Sequence, residues 1–142
     1  MAKKLLLGCV ALVAFLLIFA TTRPDNFRVE RSIVIKADPA RIYALLNDFH
    51  NFGSWSPWQK LDPGMKVSYA GATNGKGAIY TWDGNDDVGS GRMEILQTEP
   101  HSRVLVKLDF LKPFEGHNTS EYTLASASGN TTVTWAMYGP SP

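Results

Sequence analysis

From Phe27 onward the chain is a succession of short runs in which apolar and polar side chains alternate. Alternation with period two puts one set of side chains on one face of a strand. Phe27, Val29, Arg31, Ile33 and Ile35 form the first such set. Six more predicted strands follow further on: Met65 to Tyr69, Ala78 to Trp82, Arg92 to Gln97, Arg103 to Leu111, Ser120 to Ser126 and Thr131 to Tyr138. Between the first strand and the rest the period changes. Asp38 and Pro39 are a helix start, an N-cap followed by proline at the first helical position. Ile42, Leu45, Leu46 and Phe49 then recur at helical spacing, predicting a helix of about 10 residues with one buried face. Asn51-Phe52-Gly53-Ser54 breaks it and leaves room for a short second helix.

The stretch from Gly75 to Ile95 organises the strand-rich part. Two alternating runs flank a cluster of Asp, Asn and Gly, the signal for a long β-hairpin. Tyr80 and Trp82 lie on one face of its first strand. Consecutive strands joined by short turns make an antiparallel meander, which curls at this length and is closed by a helix on one face. The fold class is α+β: a curled antiparallel sheet gripping short helices placed after the first strand.

The chain opens differently. Lys3 and Lys4 precede an uncharged run from Leu5 to Ala20. Sixteen helical residues span about 24 Å against a bilayer core of about 30 Å. The run is long for a cleaved signal and lacks an Ala-x-Ala site. Residues 1–21 are therefore expected to be an N-terminal transmembrane anchor or signal, and 22–26 a linker. The flanking lysines would keep the N-terminus cytoplasmic and send the domain to the far side as a single-pass protein. The domain itself is expected over 27–142.

Composition adds exclusions. The 142 residues carry 14 basic and 13 acidic groups, a balance with no electrostatic footprint for nucleic acid. Cys9, the only cysteine, falls in the leader, so no disulfide within the chain is possible. His50, His101 and His117 do not form a pair at ligand spacing, and no serine sits in a nucleophile elbow. Asp83-x-Asn85-x-Asp87 approaches a calcium loop, but Val88 stands where that loop needs glycine and strands flank it where helices should. It reads as a solvated turn, and neither a metal nor a cofactor is expected. Asp109, Glu121, Arg92, Tyr80 and Tyr122 are the acid–base candidates, each more simply read as a strand-edge or surface group.

The strongest functional signal is apolar. Val106, Leu108 and Phe110 share a strand face, as do Val133, Trp135 and Met137, and Tyr122 with Leu124. Taken singly these residues fill a core. Taken together on a curled sheet they outline an apolar cavity. Phe52, Trp55 and Trp58 are crowded after the first helix, where they form either a mouth or a satellite cluster.

The order of elements and a set of phrases resemble the SRPBCC superfamily, the START and Bet v 1-like helix-grip proteins, and within it the polyketide cyclase/dehydrase and lipid-transport branch. The phrases are Val29-Glu30-Arg31-Ser32-Ile33-Val34-Ile35 with Asp38-Pro39, Leu46-Asn47-Asp48-Phe49 leading to Trp55-Ser56-Pro57-Trp58, Gly75-x-Gly77 with Trp82, and Gly89-x-Gly91 with Met93 and Ile95. Leu108-x-Phe110-x-x-Pro113-Phe114 and Thr132-x-Thr134-Trp135 complete them. The resemblance implies a long C-terminal helix across the sheet. This sequence stops at Gly139-Pro140-Ser141-Pro142, so the domain reads as C-terminally incomplete, or else a lipid, a bilayer or a second chain covers the face.

The resulting expectation is membrane-anchored binding or transport of a small hydrophobic molecule or lipid. Trp55, Trp58, Tyr80, Trp82, Val106, Leu108, Phe110, Tyr122, Trp135 and Met137 are the candidate ligand-binding residues. A cyclase/dehydratase-like enzyme and a protein-interaction module are the alternatives, because one such fold hosts many activities.

Overall fold

The computed structural model describes residues 2–22 and 25–141, with side chains from residue 8 onward. Seven antiparallel strands form one sheet in the order β1-β7-β6-β5-β4-β3-β2. They are β1 (Asn26–Ile35), β2 (Lys66–Gly71), β3 (Ala78–Asp83), β4 (Ser90–Glu99), β5 (Arg103–Lys112), β6 (Gly116–Ala127) and β7 (Asn130–Pro140). Each strand from β2 to β7 pairs with its neighbour in sequence, the arrangement that short turns enforce. β1 closes the series by pairing with β7 along its whole length, from Asn26 opposite Pro140 to Ile35 opposite Thr131. Two register shifts in β4, at Ser90/Gly91 and Ile95/Gln97, interrupt its ladder with β5. Bulges of this kind bend a strand and increase its twist.

The helical segment sits where the change of period puts it. After α1 (Ala2–Thr21), the helix α2 covers Pro39–Leu46, and the Asp38 carboxylate accepts from the Ala40 amide at 2.7 Å. Ile42 and Leu46 are buried while Leu45 is turned outward. Phe49 is buried too, but from a separate 3-10 turn, Phe49–Asn51, capped by Asp48. The expected single helix thus breaks at Asn47, where the chain turns onto the sheet. α3 (Phe52–Trp55) and α4 (Trp58–Leu61) follow, the second of them not foreseen in the sequence. Ser56, almost wholly buried, separates them and accepts from the Trp58 amide. Thr131 fastens this layer to the sheet: its buried hydroxyl donates to the Ala37 carbonyl at 2.7 Å.

The core lies between α2, the 3-10 turn and the concave face of β3 to β6. Ala78, Tyr80, Trp82, Met93, Ile95, Val104, Val106 and Leu124 are its buried members on the sheet. Beyond it, toward β1, the same concave face is open, with Ile33 61% exposed. Among the described residues no helix follows β7.

α1 forms, but among the described residues no helix is long and apolar enough to cross a membrane. The apolar groups of α1, from Val10 to Phe19, are exposed. The side chains of Lys3 and Lys4, and the linker residues Arg23 and Pro24, lie outside the described residues.

Candidate ligand-binding cavity

Because β3 to β7 pair antiparallel, and between its two register shifts β4 keeps pace with β5, their inward side chains line up across the sheet. Trp82 stands opposite Gly91, Tyr80 opposite Met93, and Met93 opposite Leu108. Tyr122 stands opposite Trp135, and Ser120 opposite Met137. This row and the helical segment enclose a cavity of ≈ 270 Å³. Trp58, Tyr80, Trp82, Leu108, Phe110, Trp135 and Met137 line it, together with Phe52, Met65, Val88 and Met93.

Three candidates lie elsewhere. Val106 is buried in the core opposite Ile95, two residues before Leu108 on β5. Trp55 packs edge-on against Tyr122, with ring centroids 6.1 Å apart, and donates its indole N–H to the Leu45 carbonyl. Neither ring lines the cavity. Phe52, singled out in the sequence as a mouth residue, does line the cavity. Met65, Val88 and Met93 were not among the candidates. Met93 was legible, since it follows Gly91 on an alternating strand. Met65 and Val88 arrive through loops. Asp62 places them: its carboxylate accepts from the Gly64 amide at 3.0 Å and from the Asn85 amide at 2.8 Å, tying the α4–β2 loop to the β3–β4 loop.

Tyr80 is the hub of the aromatic wall. Its ring meets Phe52, Tyr69, Phe49 and Trp82 with centroids 5.2, 5.7, 5.8 and 6.3 Å away. Trp82 continues the chain of rings to Phe110. Two of the wall's tryptophan N–H groups are spent inside the protein: Trp82 donates to the Val88 carbonyl and Trp135 to the Ser120 hydroxyl. Burial pushes the Tyr122 hydroxyl up, and a hydrogen bond with Ser120 partly opposes it.

Charge is kept on the other side. Asp109, Glu121 and Arg92 alternate away from the cavity onto the convex face. There Asp109 pairs with His117 and Lys107, Glu121 with Arg103, and Arg92 with Glu94. No carboxylate lines the cavity among the described residues. The arrangement can hold an apolar body in a largely aromatic and methionine-rich space, and among the described residues it offers no carboxylate for acid–base work there.

A curled sheet gripping short helices around an apolar cavity defines a helix-grip container. The chain belongs to the polyketide cyclase/dehydrase and lipid-transport family, whose sequence profile matches residues 26–142. Solved structures agree on the fold. The Aha1 dimer from Colwellia psychrerythraea is 18% identical, with a TM-score of 0.56 over 78% of this chain and 74% of that one. Ara h 8.0201 is 12% identical, with a TM-score of 0.60 over 82% and 81%. The major latex-like protein 151 from Panax ginseng is 13% identical, with a TM-score of 0.58 over 82% and 80%. No curated protein matches the chain by sequence.

Proposed function

We propose that this protein binds a small hydrophobic molecule in the cavity between its sheet and helical segment. The observation that carries the reading is the lining: aromatic rings, methionines, Leu108 and Val88, with every paired charge of β4 to β6 turned to the opposite face. Burying apolar surface is worth about 25 cal/mol per Å², so such a space favours an apolar occupant over water. Family membership supports the same reading. The volume suits a compact molecule; a two-chain lipid would have to extend through the open side toward β1.

Membrane attachment through α1 is kept as part of the proposal. Its exposed apolar side chains support contact with a lipid surface. Placement of the domain on the far side is supported only by the pattern of Lys3, Lys4 and the following apolar run. A C-terminal reporter active on one side of the membrane tests it, and cytoplasmic activity would contradict it.

Solvent extraction of the purified full chain, followed by mass spectrometry, tests the binding reading. A stoichiometric apolar compound is expected. A chain that purifies empty and also fails to take up apolar probes would contradict it.

A further inference from the structure

The strand pairing sorts the loops between the two ends of the sheet. One end runs from Asn26–Pro140 through Tyr138–Thr119, Gly116–Phe110 and Phe110–Gly91 to Ser90–Asp83 and Asp83–Lys66. The start of β1 therefore shares this end with the α4–β2, β3–β4 and β5–β6 loops. These loops touch one another. The Asp62 carboxylate accepts from the Asn85 amide, and a methyl on Gly89 would meet the Lys112 carbonyl. The Ser141 amide donates to the Asp25 carbonyl at 2.8 Å, joining the chain after β7 to the residue before β1. α1 stops at Thr21, five residues before Asn26, so it leaves the domain from the same end.

Large apolar side chains are exposed here. Phe114 in the β5–β6 loop is 82% exposed, more than any other large apolar side chain among the described residues. Trp58 and Leu61 of α4 are 55% and 50% exposed, and Leu61 runs directly into the Asp62 loop. Trp58 is also a cavity residue, as are Met65 and Val88 of the adjoining loops, so the cavity lies next to this surface.

The character of α1 says what such a surface meets. Its described side chains are exposed on every side, and no charge stands between Leu5 and Thr22. A helix that docks on a protein needs one apolar stripe, whereas a helix apolar all round belongs in a core or in lipid. The exposure of α1 shows that no core of this chain takes it in. Binding to a lipid surface grows with the apolar area buried there, so Phe114, Trp58 and Leu61 add to what α1 supplies. Tryptophan in particular suits the interface between headgroups and acyl chains. Around these residues Asp83, Asp86, Asp87 and Glu115 stand against Lys60, Lys66 and Lys112. That mixture has no basic excess to select anionic headgroups.

We infer that this end of the sheet seats on a bilayer of zwitterionic lipid, with Phe114 entering the interface beside α1 and the cavity held next to the lipid. The inference rests on the membrane attachment proposed for α1 and adds the orientation of the domain.

The test places an NBD fluorophore on the full chain carrying Cys9→Ser, at Phe114→Cys or, for comparison, at Ala127→Cys. Both positions are exposed, and Ala127, paired with Asn130 at the β6–β7 turn, marks the opposite end of the sheet. The labelled chains are mixed with phosphatidylcholine vesicles containing a nitroxide-labelled lipid. Emission at position 114 should shift to the blue and be quenched severalfold more than at 127, which should stay as it is in water. Equal quenching at the two positions, or none at 114 on vesicle-bound protein, would overturn the inference and leave attachment through α1 standing. Blue-shifted emission at 114 without vesicles would also overturn it, because another chain would then cover this end. Tighter, salt-sensitive binding to vesicles containing phosphatidylglycerol would overturn the choice of zwitterionic lipid. Failure of the labelled chains to bind vesicles at all would overturn the attachment itself, and this inference with it.

Discussion

Gly91 lies directly across the β3–β4 ladder from Trp82, and a methyl group on Gly91 would meet the Cη2 and Cζ2 atoms of that indole. It would also press on the Asp109 carbonyl of β5. The glycine leaves room for one of the indole rings of the cavity wall. Its role is spatial, since its φ is not in the left-handed region. Gly91→Ala should therefore destabilise the domain by about 1–3 kcal/mol, the usual cost of overpacking. Because the indole must shift, the near-ultraviolet circular dichroism should change as well. A variant with wild-type urea midpoint and unchanged spectrum would contradict this placement of Trp82.

Trp135→Ala separates a wall residue from a core residue. A fully buried tryptophan costs about 3–5 kcal/mol on truncation to alanine. Trp135 is only partly buried and faces the cavity. The variant should lose less than that and should weaken binding of an apolar probe. A full core-sized loss with unaltered probe affinity would show that the ring is packing alone.

Asp62→Ala tests the loop clasp at the cavity end. The substitution removes the acceptor for the Gly64 and Asn85 amides, at a cost of about 1.5–3 kcal/mol for a hydrogen bond to a charged group. The Asn85 amide should then exchange its hydrogen faster while amides of β5 are unaffected. Unchanged exchange at Asn85 would contradict the clasp.

The convex face makes a prediction about pH. The bond to Asp109, and next the bond to Glu115, hold the His117 imidazole above its ordinary value of 6.5. For Asp109, burial acts upward most strongly, but the hydrogen bonds from His117 and Lys107 together outweigh it and hold the carboxyl below 3.8. The His117 contribution is present in full below 6.5 and is lost as pH rises through the raised folded value. The Asp109 contribution is present above 3.8 and is lost as pH falls through the depressed one. The pair thus stabilises most between those limits. His117→Asn should lower the urea midpoint more at about pH 5 than at about pH 9. An equal loss at both would mean that the pair carries no charge-dependent stability.

Much of this was legible because alternation is unforgiving: one residue of slip turns a strand over. Leu108 and Phe110 facing the cavity, with Asp109 facing away, could be read directly from β5. The cap formed by Asp38 and Pro39 was equally plain. Curvature was not legible. Val106 shares a face with Leu108, yet only Leu108 reaches the cavity, because the helical segment closes over one end of the sheet. Val88 and Met65 were missed because a carboxylate twenty-three residues away in sequence from Asn85 holds their loops together. The apolar leader forms a helix as expected.

The central claim is that the space between sheet and helical segment holds a hydrophobic molecule, and three methionines report on it from different sides. Met65 arrives by a loop, Met93 lies on β4 and Met137 on β7, and all three line the cavity. The full chain labelled with carbon-13 at the methionine methyls, titrated with 9-fluorenone and followed by NMR, reads that space directly. The account predicts that the methyl signals of Met65, Met93 and Met137 shift together and saturate at one equivalent. Binding of the probe with those three signals unmoved would contradict it.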